Sequence, residues 1–221
     1  MNHDISTRLK EIEIQIASRA ADRKVEIVGV TKHQPVERLR EAVRAGIKVF
    51  GVNYAQEGEA FRAALGDSVR WDFIGHIQSR KAKHLLDYDR IQSLDRASVA
   101  EILNREGQSR GTALSCLVEI NIGEEPQKSG VLPSELDGFL KDLATLSYLK
   151  IDGFMGMPPP LQPVEARRPH FKMLREFFDR YREKYRLSVL SMGTSEDFLI
   201  AVEEGSTMVR LGTSLFGARP V

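Results

Sequence analysis

Lys32 closes an apolar run, residues 25–32, in which every other charged side chain sits near the start. A lysine at the end of an apolar strand costs free energy unless it is solvated, paired or covalently used. Its amine is a nucleophile toward carbonyl carbon. Snorkelling to the rim is the plain alternative. Two later stretches narrow the choice. Ser191-Met192-Gly193-Thr194-Ser195 and Arg210-Leu211-Gly212-Thr213-Ser214 both finish an apolar run with glycine and hydroxyl residues, and each then leads into a helical start. Free backbone N–H groups beside small side chains bind anions. One such turn is ordinary capping. Two of them, with a lysine to match, describe a site for a phosphorylated carbonyl compound held as a Schiff base on Lys32.

The elements that must position these residues alternate along the chain. An N-terminal helix occupies the first twenty residues, with Ile5, Leu9, Ile12 and Ile16 on one face. Strand-like runs follow at 25–32, 48–53, 69–75, 90–94, 114–121, 149–157, 187–193 and 207–212. Helical patterns separate them: 35–45, with Gly46 just past its end, a stretch to about 65, and others starting near 79 and 96. Three more cover 133–145, about 165–185 and 196–204, and the proline-rich 157–163 reads as a strand-to-helix loop. Strict alternation predicts a parallel sheet. Eight units favour a (β/α)8 TIM barrel, an α/β fold of roughly 250 residues. An open doubly wound sheet would carry a glycine-rich first turn, and Thr31-Lys32-His33-Gln34-Pro35 has no glycine.

In a barrel the chemistry gathers at the C-terminal ends of the strands, with phosphate after strands seven and eight. Those ends here are Lys32, Asn53, His76, Ser93, Asn121, Met157, Ser191 with Gly193, and Arg210 with Gly212. The whole chain, 1–221, is expected to be one such domain, and Ala218 to Val221 are all that follow the last glycine turn.

Composition excludes several classes. The 32 basic and 31 acidic residues nearly cancel to +1, which removes the electrostatic case for nucleic acid or a membrane surface. The cluster Arg80, Lys81, Lys83 and His84 reads as a solvated helix face. The lone Cys116 lies among Leu114, Leu117 and Val118 and reads as core. No apolar run approaches the roughly 20 residues of a membrane span, and no signal peptide is visible, so a cytoplasmic protein is expected. There is no G-x-S-x-G, G-x-G-x-x-G, P-loop, C-x-x-C or H-x-x-x-H pattern, and no metal site is expected.

The sequence resembles the pyridoxal 5′-phosphate (PLP) homeostasis proteins, whose fold is that of the alanine racemase N-terminal domain. The matching stretches are Val30-Thr31-Lys32, Phe50-Gly51-Val52-Asn53-Tyr54-Ala55-Gln56-Glu57 and Phe73-Ile74-Gly75-His76-Ile77-Gln78-Ser79. Lys128-Ser129-Gly130, Leu190-Ser191-Met192-Gly193 and the run from Met208 to Gly217 complete them in order. The resemblance implies that Lys32 carries PLP and that Arg210 faces the pyridine nitrogen. It also implies that Ser191, Gly193, Gly212 and Thr213 cradle the phosphate, with Asn53 beside the ring and His76 at the same mouth. The family pattern has glutamate at Val52, asparagine at Arg80 and methionine at Thr194. Val52 is expected to point away from the mouth if Asn53 points into it.

Three functions compete: a PLP carrier, a weak PLP-dependent amino-acid racemase, and a Schiff-base aldolase. Racemisation needs an acid–base group on each face of the Cα plane. In alanine racemase a separate domain brings the second, a tyrosine. Of the tyrosines here only Tyr54 falls near the expected site, and strand parity aims it away. The sequence therefore favours a non-catalytic carrier serving vitamin B6 balance, with PLP-accepting apoenzymes as its partners.

Overall fold

A computed structural model describes residues 4–218. Eight parallel strands close into a barrel in chain order: β1 (Glu26–Val30), β2 (Val49–Val52), β3 (Arg70–Phe73), β4 (Arg90–Leu94), β5 (Leu114–Ile120), β6 (Leu149–Gly156), β7 (Val189–Thr194) and β8 (Met208–Leu211). The first and last strands seal it, with Val28 opposite Arg210. The α/β barrel expected from the alternation is present.

Helices α1 (Ile5–Ala17), α2 (Val36–Ala45), α3 (Ala55–Leu65), α4 (Ala97–Arg110), α5 (Leu136–Leu143), α6 (Arg168–Tyr185), α7 (Phe198–Glu203) and α8 (Thr213–Phe216) surround the sheet. The helix expected from residue 79 is instead a 3-10 segment, Ser79–Leu85. Its buried residues, Ala82 and Leu85, are three apart, which matches the three-residue turn of a 3-10 helix. The extra helix α1 starts on Asp4, whose carboxylate accepts the Thr7 N–H at 2.7 Å. It buries Ile5, Leu9, Ile12 and Ile16 against α2, α7 and α8. Each such side chain contributes roughly 1.5–3 kcal/mol of transfer free energy.

The main core lies between the sheet and the helices and includes Phe50, Val52, Trp71, Phe154 and Phe171. Inside the barrel the apolar plug is small: Val28, Val49 and Met208, with Val189 against them. Polar side chains occupy much of the remaining interior, among them Asp72, Gln92 and Ser191, all fully buried. Among the described residues no helix is long and apolar enough to cross a membrane.

Candidate functional site at the barrel mouth

The strands end earlier than the apolar runs suggest, and the residues just beyond them line the mouth. β1 stops at Val30, and Thr31 is held to β2 by its N–H on the Gly51 carbonyl at 3.0 Å. Gln34 N–H returns to the Thr31 carbonyl at 2.9 Å, and His33 takes a left-handed φ of 61°. Lys32 thus sits on a tight turn, half-buried, with its Nζ 5.7 Å from the centroid of the Tyr54 ring. Strand parity aims Tyr54 outward. The bend after β2, where Tyr54 precedes the first turn of α3, turns it toward Lys32 instead.

Val52 is fully buried in the outer core, so its neighbour Asn53 takes the mouth side. Asn53 Oδ1 is buried without a hydrogen-bond partner, a cost unless a donor arrives. The end of β3 closes on this residue because position 75 is glycine: a Cβ there would lie 2.0 Å from the Asn53 carbonyl. Ser93 Oγ donates to the Gly75 carbonyl at 2.6 Å and is spent on that closure. His76 is exposed, with Nδ1 at 2.8 Å from Ser129 Oγ and 3.9 Å from an Asp95 carboxylate oxygen. Asn121 uses both ends of its amide on the Glu125 backbone, at 2.9 and 3.1 Å. Asn53, His76, Glu119, Asn121 and Lys128 share the lining of a cavity of about 260 Å³.

Arg210 lies at the inner wall, fully enclosed. Its Nη1 donates to the Ser191 carbonyl at 2.9 Å and to Ser191 Oγ at 2.7 Å, and Nη2 reaches the Gly156 carbonyl at 3.3 Å. No hydrogen bond is recorded for Nε among the described residues. Burial pushes the guanidinium down to about 10, opposed by the charge of Glu119, and it stays cationic at neutral pH. Glu119 itself is pushed up to about 7, by burial first and Asp95 second, against the pull of Arg210.

The two glycine turns differ. Gly193 has φ 95°, and a Cβ on it would lie 2.6 Å from Ala201 Cβ, so this glycine is required by packing against α7. Ser191 is placed differently from its expected role in a phosphate cradle. It is fully buried below the mouth, and its hydroxyl accepts from Arg210 while donating to Gln92 Oε1 at 2.7 Å. The hydroxyl at the turn is Ser195. Its Oγ receives the Gly212 N–H at 3.0 Å and the Ser214 N–H at 3.2 Å, with Ser214 Oγ at 3.1 Å. Three donors converging on one oxygen form the kind of cradle that an anionic oxygen fits. Thr213 is exposed between them. The turn after β7 is fastened by Asp197, which accepts from Thr194 N–H at 2.7 Å and from Arg167 Nη1 at 2.8 Å.

A family model described as the alanine racemase N-terminal domain matches residues 11–220. The pyridoxal phosphate homeostasis protein of Haemophilus influenzae is 33% identical over 229 residues, covering 99% of this chain and 97% of that one. The chain belongs to the pyridoxal phosphate homeostasis protein family. The Aquifex aeolicus homeostasis protein is 39% identical over 197 residues, covering 87% and 86% of the two chains. The structure of PipY from Synechococcus elongatus PCC7942 with PLP bound superposes with a TM-score of 0.87 at 32% identity, covering 96% of this chain and all of that one.

For this homeostasis-family chain, three residues at or below the mouth escape a reading of strand ends alone. Ser195 stands in the turn after β7, two residues beyond Gly193. Glu119 lies two residues before Asn121 on the same inward parity, and the polar Glu between Val118 and Ile120 is its signal. Gln92 likewise follows Arg90 at a spacing of two, an alternation that places polar side chains inside the barrel.

Proposed function

We propose that this family member binds PLP at the barrel mouth, with Lys32 as the attachment amine, and holds it without turnover. The observation that carries the reading is the convergence of the Gly212 and Ser214 N–H groups on one oxygen position, in the loop after the strand that pairs with β1. When bound, PLP supplies an aldehyde for a Schiff base and a ring able to withdraw electrons.

In this arrangement Lys32 provides the amine from its turn, and the cradle of Ser195, Gly212, Thr213 and Ser214 takes the phosphate in place of the Ser195–Ser214 contacts. The unpartnered Asn53 Oδ1 and the unengaged Nε of Arg210 face the ring, with His76 at the outer edge. A cationic Arg210 opposite the ring nitrogen keeps that nitrogen unprotonated, which weakens the ring as an electron sink. That favours storage over chemistry at Cα. The relatives are named for homeostasis, and we assign the same role here, with PLP-accepting apoenzymes in the cytoplasm as recipients.

The test is the visible spectrum of the purified chain, followed by hydride reduction and peptide mapping. A yellow protein whose reduced adduct maps to Lys32, and a colourless but folded Lys32→Ala variant, are the expected results. An adduct on another lysine, such as Lys128, would overturn the assignment. An aldolase would trap a sugar phosphate on Lys32 and be isolated colourless.

A further inference from the structure

A polar ladder descends from Arg210 into the barrel. Arg210 Nη1 donates to Ser191 Oγ, Ser191 Oγ donates to Gln92 Oε1, and Gln92 Nε2 donates to Asp72 Oδ2, each at 2.7 Å. Arg70 Nε meets Asp72 Oδ1 at 3.0 Å, and its Nη2 meets Glu26 at 2.6 Å near the opposite end of the barrel. The direction of each bond is forced. Arginine can only donate, so Ser191 must accept from it, and its single hydrogen goes to Gln92. That fixes the Gln92 amide, with oxygen toward Ser191 and nitrogen toward the carboxylate of Asp72. All three side chains below Arg210 are fully buried, so none can exchange its partner for water.

Such a ladder is not what packing demands. Barrel interiors are usually filled by branched apolar residues. Burying a charge costs several kcal/mol before pairing, and apolar replacements of buried polar sets are often neutral or stabilising. Burial indeed pushes the Asp72 carboxyl up, opposed by Arg70 and Arg90. The direction-locked chain leads to one exit, the arginine at the mouth.

We propose that Gln92 and Asp72 are positioning residues: through Ser191 they lock the orientation in which Arg210 presents its free donor to the cofactor. The inference rests on the reading above, in which Arg210 faces PLP. Loss of Gln92 would leave the Ser191 hydrogen without its acceptor, so the hydroxyl rotor, and with it the lone pair aimed at Arg210, would no longer be fixed.

The experiment uses the full chain loaded with PLP and three variants: Gln92→Leu, Gln92→His and Asp72→Asn. PLP affinity, the pH titration of the visible band and thermal melting are measured on each. Gln92→Leu is expected to bind PLP about tenfold more weakly, the worth of roughly one hydrogen bond to a charged group, with a shifted band titration. Gln92→His keeps one acceptor and one donor nitrogen and should restore both toward wild type. Asp72→Asn, whose single amide oxygen cannot accept from both Arg70 and Gln92, should shift the titration in the same direction, and its melting temperature separates that shift from a general loss of stability. Wild-type affinity and titration in Gln92→Leu and Asp72→Asn would overturn the ladder, as would a Gln92→His variant indistinguishable from Gln92→Leu. If Gln92→Leu fails to fold, Asp72→Asn decides alone. A wild-type adduct on a lysine other than Lys32 overturns the parent reading instead, and is seen before any variant is made.

Discussion

The Gly212 N–H points at Ser195 Oγ from 3.0 Å, across the gap between the β8 and β7 turns. The two turns therefore already share an acceptor position, and the glycine exposes its backbone to it. A Cβ at Gly212 would meet nothing closer than Val30 Cβ at 3.9 Å. The fold has room for a side chain there, whereas a phosphate taken up by the Gly212 and Ser214 N–H groups would be crowded by one. Gly212→Val should raise the PLP dissociation constant at least about tenfold while shifting stability by about 1 kcal/mol or less. Inorganic phosphate should compete with PLP in the wild type. Equal losses of binding and stability, or no competition, would remove the cradle from this loop.

Arg167 and Asp197 form an ion pair with both partners almost completely enclosed, at 4% and 3% exposure. Asp197 also caps Thr194, so the pair fastens the turn that carries Ser195. Arg167→Ala leaves a buried carboxylate without its cation and should cost about 3–5 kcal/mol. The double variant Arg167→Met, Asp197→Leu should recover part of that in denaturant melts, yet bind PLP poorly because the cap is gone. A single variant as stable as wild type would show that the pair does not hold the turn.

Glu119 gives the site a pH signature. Its carboxyl is raised from 4.5 to about 7, chiefly by burial. The protonated form is favoured by folding, so its contribution is complete below the unfolded value and is lost as pH rises through about 7. Apo-protein stability should therefore fall between about pH 5 and 8, by on the order of 3 kcal/mol from this group at most. Glu119→Gln should flatten that slope. Identical pH profiles for the two proteins would mean the carboxylate is better solvated than its enclosure implies.

The barrel was legible because apolar runs of strand length alternate with helical spacing, and that pattern survives any error at the ends. β4 begins and ends where its run does, Arg90–Leu94. Lys32 lies two residues past its strand, in the turn that follows it, where its amine meets the Tyr54 ring. The third helical connection is ambiguous in sequence, because basic residues with two apolar ones suit an α-helix and a 3-10 segment alike. The contacts of the candidate site were less legible. Arg210 could be placed from sequence, but a partner 99 residues from Ser191, such as Gln92, becomes a neighbour only when the barrel closes. Tyr54 shows the same limit, since parity is reliable within a strand and fails at the first bend.

That bend sets up the last prediction, because it brings a phenol to the mouth. Tyr54 is 49% exposed, and Lys32 Nζ lies over its ring. Two bases serving opposite faces of one carbon need that carbon between their reacting atoms. Here the amine lies over the face of the ring, 5.7 Å from its centroid, so the two groups sit on one side instead of bracketing a substrate carbon. Incubated with L- or D-alanine in deuterated solvent, the PLP-loaded protein should incorporate deuterium at Cα only at trace rates. Exchange of bound PLP with an added amine can still proceed, since it needs no second base. Tyr54→Phe removes the phenol oxygen but keeps the ring beside Lys32, so it should leave both the trace incorporation and PLP binding unchanged. Rapid incorporation in the wild type, abolished by Tyr54→Phe, would make Tyr54 the second base and the protein a racemase.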